Sequence, residues 1–137
     1  MRGKRPILLV EDDAVDIMTM QRALKDLKIT NHLDITYNGE EALELLMAPS
    51  SEEPCIILLD LNMPRMNGIE FLKIIKQDDR FKKIPVVVLT TSREEQDKVE
   101  SFNLGVAGYM IKPPDYRQFV DVIKTIDLYW TISELPE

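Results

Sequence analysis

Cysteine, histidine and tryptophan each occur once in the 137 residues, and glycine only five times. A lone cysteine cannot close an internal disulfide, so nothing marks an oxidising compartment. Cys55 abuts an apolar run and reads as a small buried residue rather than a reactive thiol. The lone His32 belongs at the edge of a strand, not in a metal or acid–base site. No apolar stretch approaches the ~18 residues of a membrane span. Basic residues open the chain, but acids begin before an h-region of adequate length can form. A soluble, cytoplasmic protein is therefore expected. A basic excess is missing too: the formal charge is −7. Holding nucleic acid needs a basic face that releases counterions, so the charge argues against that as the main task, and no nucleic-acid partner is expected. What remains is a chain with 45% hydrophobic and 30% charged residues, enough for one ordinary domain with a full core.

Pro6–Val10, Cys55–Leu59 and Ile84–Leu89 are short continuous apolar runs. Runs of that kind suit strands covered on both faces, as in a parallel sheet. Leu33–Tyr37 and Ala107–Ile111 are weaker examples. Between them lie helical spacings: Ile17, Met20, Leu24 and Leu27; Ala42, Leu43, Leu46 and Met47 after an Asn38-Gly39 turn; Phe71, Leu72 and Ile75 after Gly68. Residues 93–104 are mostly polar, with Val99 and Phe102 as apolar points, and a last helix is predicted from near Asp115 to about Thr131. Strand followed by helix, five times over, predicts crossover connections and an α/β fold with a mostly parallel sheet and helices on both faces. Pro49–Pro54 reads as a surface loop before the third strand. The domain is expected over residues 4–131, with a C-terminal tail at 132–137.

In open α/β sheets, ligands gather beyond the carboxyl ends of the strands. Glu11, Asp12 and Asp13 follow the first strand, Asp60 the third, Thr90 and Thr91 the fourth, and Lys112 the fifth. Singly, each has an ordinary explanation: an Asp ending a strand caps the next helix, as Asp13 is expected to do, a Thr there makes a turn, and a Lys is solvated. Together they deliver carboxylates, a hydroxyl and an ammonium to one rim. Gathered carboxylates repel and are costly to desolvate unless a cation answers them. A hard cation that keeps several waters and takes one or two carboxylates plus a phosphate oxygen describes magnesium, with Glu11, Asp12 and Asp60 as its site. A carboxylate can attack phosphorus to form an acyl phosphate. The metal, Lys112 and the Thr90 hydroxyl would stabilise the charge on the transferring group.

From about Lys4 to Thr131 the chain resembles the receiver domain of response regulators of two-component systems. The resemblance rests on Ile7–Asp13, Leu58–Gly68, Pro85–Thr90 and Gly105–Pro113, in order and suitably spaced. It implies a doubly wound five-stranded parallel sheet of the flavodoxin-like kind, with five helices and with Asp60 as phosphoacceptor. Magnesium would be bound by Asp12, Asp60 and the backbone carbonyl of Asn62, with Glu11 acting partly through water. Thr90 would move to bond the phosphoryl group, Tyr109 would turn inward as the switch, and Lys112 would pair with the phosphoryl group. A cis Lys112–Pro113 peptide is also implied. Two positions depart from the pattern: Thr91, where Ala or Gly is more usual, and Pro114, where an aromatic is common. The ending 127–136, the Lys112–Asp115 turn and the lack of an output domain resemble the small stand-alone regulators that partner phytochrome-type sensor histidine kinases.

An aspartyl phosphatase of the haloacid dehalogenase type would want a second Asp where Asn62 stands, and a cap domain. A flavodoxin would want a Ser/Thr/Gly-rich loop where the first acids stand. A receiver fold that no longer takes phosphate is opposed by intact Glu11, Asp12, Asp60, Thr90 and Lys112. The function expected is that of a phosphoacceptor signalling domain, not an enzyme acting on metabolites: it catalyses only its own phosphorylation and dephosphorylation. The last helix also carries more apolar surface than one sheet needs. Phe119, Ile123, Ile126 and Trp130 form a core stripe, while Tyr116, Val122, Leu128, Tyr129 and Ile132 lie off it. A homodimer through this helix is expected.

Overall fold

The computed structural model describes residue 1 and residues 3–132. Five strands and five helices alternate: β1 (Ile7–Val10), α1 (Ala14–Asp26), β2 (Leu33–Thr36), α2 (Gly39–Met47), β3 (Ile56–Leu59), α3 (Gly68–Ile75), β4 (Val86–Thr90), α4 (Glu95–Asn103), β5 (Gly108–Ile111) and α5 (Tyr116–Ile132). The strands form one sheet in the order β2-β1-β3-β4-β5, and all four pairings are parallel. The expected doubly wound, flavodoxin-like architecture is the one found. Of the expected tail, residues 133–137 lie outside the described residues, and Ile132 closes α5.

Alternation along each strand divides the core in two. Leu8, Val10, Ile57, Leu59, Val86 and Val88 face Phe71, Leu72 and Ile75 of α3 and Ala42 and Leu46 of α2. Ile7, Leu9, Ile56, Leu58, Val87 and Leu89 face Ile17, Met20 and Leu24 of α1 and Phe119, Ile123 and Ile126 of α5. The three central strands are buried throughout, which is why they read as unbroken apolar runs. β2 and β5 are edge strands and mostly half-buried, matching their mixed composition.

Strand boundaries differ from the apolar runs where proline intrudes. Pro6 and Pro85 lack an N–H and stand before β1 and β4, serving only as acceptors, from Cys55 N–H at 2.8 Å and Ile57 N–H at 2.9 Å. β4 instead continues through Thr90, whose carbonyl accepts from Lys112 N–H at 2.8 Å. Helix starts follow capping chemistry. Asp13 accepts from Val15 and Asp16 N–H, Asn38 from Glu41 N–H, and Asn67 forms a reciprocal capping box with Glu70. Asp115 accepts from Gln118 N–H at 3.1 Å ahead of α5. α4 is the exception: Glu94 makes no capping bond, and Ser101 is its one buried residue.

Candidate functional site

β1 pairs with both β2 and β3, so the chain reverses its winding there and leaves a crevice at the carboxyl ends of β1 and β3. Glu11 follows β1, with its N–H bonded to Thr36 O at 2.9 Å. Asp60 follows β3, with its N–H bonded to Val10 O at 3.0 Å. Backbone bonds across neighbouring strands thus fix where both carboxylates start. Glu11, Asp12 and Asp60 each place a carboxylate oxygen within 4.8 Å of the others. Glu11 and Asp60 are buried and Asp12 is exposed, so the cluster opens to solvent on one side.

Lys112 enters from the end of β5. Its ammonium donates to Glu11 and to Asp16 Oδ2, the latter at 2.8 Å, and lies 3.6 Å from Asp60 Oδ2. Burial alone would lower its pKa, but the hydrogen bonds to Asp16 and Glu11 and the charge of Asp60 outweigh it and hold the ammonium above its usual value. Burial pushes the Glu11 carboxyl up from 4.5 to about 7, against the pull of Lys112. One ammonium therefore leaves the carboxylates short of positive charge. Asp60 Oδ1 is buried and accepts no hydrogen bond. A buried carboxylate oxygen without a donor is costly, and oxygen atoms in this arrangement fit a hard divalent cation.

Thr90, at the end of β4, is fully buried, and its hydroxyl oxygen accepts Ser92 N–H at 3.3 Å. Thr91 beside it is exposed. Tyr109 on β5 is half-buried, and its hydroxyl donates to Ser92 O at 3.0 Å. The expected switch pair is thus linked through one residue, Ser92. Burial raises the Tyr109 phenol above its usual value. Asn62 is exposed in the β3–α3 loop.

Two expectations change. Every peptide bond among the described residues is trans, Lys112–Pro113 included, so the cis bond implied by resemblance is not found. Trans is the lower isomer of an X–Pro bond by about 0.5–1 kcal/mol, and Lys112 reaches its carboxylates with it in place. The second is an omission. Asp16, three residues beyond the cap Asp13, bonds Lys112 directly. From sequence it is indistinguishable from an acid placed to favour the helix dipole.

Residues 7–124 match the family described as response regulator receiver domain. The chain belongs to that family. This receiver is 39% identical over 128 residues to response regulator Rcp1 of Synechocystis sp., covering 90% of this chain and 87% of that one. The structure of the phosphorylated cyanobacterial phytochrome response regulator RcpA superposes with a TM-score of 0.92 at 36% identity, covering 98% and 100% of the two chains. The Mn(2+)-bound form of Rcp1 gives 0.88 at 38%, covering 97% and 99%. A receiver domain is a signalling domain of a two-component system. Among the described residues no helix is long and apolar enough to cross a membrane.

Proposed function

We propose that this receiver takes a phosphoryl group on Asp60 from a phosphohistidine of a sensor kinase of the phytochrome type, with magnesium bound. The observation that carries the reading is the buried, donorless Asp60 Oδ1 beside two further carboxylates and the Lys112 ammonium. Asp12, Asp60 and the Asn62 carbonyl would hold the metal, with Glu11 acting partly through water. When bound, magnesium supplies neutralisation of carboxylate and phosphoryl charge. An Asp60 oxygen forms a bond to phosphorus while the donor's N–P bond breaks. The electron pair leaves on the imidazole nitrogen, which takes a proton. Lys112 pairs with an outer phosphoryl oxygen, and Thr90 donates its hydroxyl to another. Removing Thr90 from Ser92 N–H releases the Ser92–Tyr109 linkage, and Tyr109 turns inward. Hydrolysis of the acyl phosphate resets the domain, with exposed Thr91 crowding the water's approach. The altered face, together with α5, governs a homodimer in the cytoplasm.

The test is phosphotransfer from acetyl phosphate and from a phytochrome-type kinase, read by intact-protein mass. The wild type should gain one phosphoryl group only with magnesium present, and Asp60→Asn none. Stoichiometric label on Asp60→Asn would sink the assignment.

A further inference from the structure

An ammonium has three N–H donors. Lys112 spends one on Glu11 and one on Asp16, and its nitrogen lies 3.6 Å from Asp60 Oδ2, beyond hydrogen-bond length, which leaves the third donor for that side. The two bonded carboxylates differ in what else they face. Glu11 belongs to the oxygen cluster with Asp12 and Asp60, and Asp16 does not. Asp16 is therefore the bonded partner of Lys112 that stays available when the cluster is engaged. Its backbone is fixed in the first turn of α1, because its N–H is held by the cap Asp13 at 3.0 Å. It is also the outermost contact: the Asp16 side chain is 37% exposed and that of Lys112 9%. Both line a groove of about 560 Å3 that runs past Val15, Thr91 and Pro113.

Resting on the reading of Asp60 above, we infer that Asp16 is a positioning residue that anchors Lys112 so its free N–H points at the phosphoryl group on Asp60. A lysine side chain has four rotatable carbons and loses much freedom when fixed. Held by Glu11 alone, the ammonium would be free to follow Glu11 whenever that carboxylate turns to a cation. The second carboxylate, on a different element, makes the position independent of that movement. A merely structural Asp16 would favour the α1 dipole and affect stability alone.

The experiment uses the full chain and beryllofluoride, a stand-in for the phosphoryl group, in excess magnesium. Beryllofluoride affinity, magnesium affinity alone and the urea midpoint are measured for wild type, Asp16→Asn, Asp16→Ala, Lys112→Ala and the Asp16→Ala/Lys112→Ala double variant. Asp16→Ala should weaken beryllofluoride about tenfold, the scale of coupling between contacting charged groups. Asp16→Asn keeps an acceptor oxygen for Lys112 and should lose less. Magnesium affinity should stay within about twofold, because Asp16 stands outside the oxygen cluster. In the Lys112→Ala background the Asp16 substitution should change nothing further. An equal loss in that background, or unchanged affinity with only the urea midpoint lowered, overturns the inference. Failure of the wild type to bind beryllofluoride overturns the Asp60 reading itself, and this inference with it.

Discussion

At Asp60 the local arrangement works against stability. Its Oδ1 is buried without a donor, and two further carboxyl groups, Glu11 and Asp12, stand beside it. An unsatisfied buried acceptor costs about 1–3 kcal/mol. Asp60→Asn removes one like charge and brings an amide donor toward Glu11. In chelator the variant should unfold at higher urea, by about 1–3 kcal/mol. Excess magnesium should narrow the gap, because the proposed metal site keeps its full set of carboxylates only in the wild type. Equal stability in chelator, measured by urea unfolding, would remove the argument that the cluster is strained. The groups at this rim were legible in the sequence because strand ends select them: an acid, hydroxyl or ammonium after an apolar run has one place to go. Asp16 was not legible, since it sits within a helix whose first turn favours acids anyway, and only the reach of Lys112 across from β5 distinguishes it. The isomer of Lys112–Pro113 was equally out of reach, because surroundings, not the dipeptide, choose between two states of similar energy.

At the scale of elements, the N-terminus of α2 clamps the β3–α3 loop. Gly39 N–H donates to Met66 O at 2.9 Å, and Arg65 holds a left-handed φ of 60° beside it. A Cβ on Gly39 would stand 2.7 Å from Met66 Cγ and 2.9 Å from Met66 O. Helix propensity alone predicts that Gly39→Ala stabilises, by up to about 1 kcal/mol. Contact with a backbone oxygen predicts the opposite, because the oxygen cannot step aside without moving the loop. We expect a loss of about 1–3 kcal/mol by urea unfolding. Magnesium binding should weaken as well, since Asn62 belongs to the displaced loop. A more stable variant would show the clamp to be slack. The three central strands were readable because buried parallel strands leave unbroken apolar runs, while the half-buried edge strands β2 and β5 left only weaker ones. Arg65 left no trace, as an arginine gives no warning of a positive φ. α4 was faint for a physical reason: with one buried residue and no capping bond, it has little to write into the sequence.

For the whole molecule, the question is what α5 does with the surface its own sheet does not cover. Phe119, Ile123, Ile126 and Trp130 are at most 7% exposed and complete one layer of the core. Leu128, Tyr129 and Ile132 remain 60%, 57% and 74% exposed. Single surface apolars are ordinary, but three within five residues at one end of one helix make a patch, and Tyr is favoured at interfaces. Tyr129 also packs against the buried Trp130, ring centroids 4.6 Å apart, so the patch is continuous with a rigid part of the core. A second copy of α5 presents the same patch, as a two-fold interface requires. Sedimentation of the wild type at micromolar concentration should give a dimer, while Leu128→Asp with Tyr129→Asp should give a monomer still phosphorylated on Asp60. Two carboxylates placed opposite their own symmetry mates would meet unpaired like charges, costing several kcal/mol in a surface that must bury roughly 1,000 Å2 or more to hold. The core is untouched by these substitutions, so the urea midpoint at low concentration should move little. A wild type that sediments as a monomer, with and without beryllofluoride, would leave the patch without a second copy to cover it.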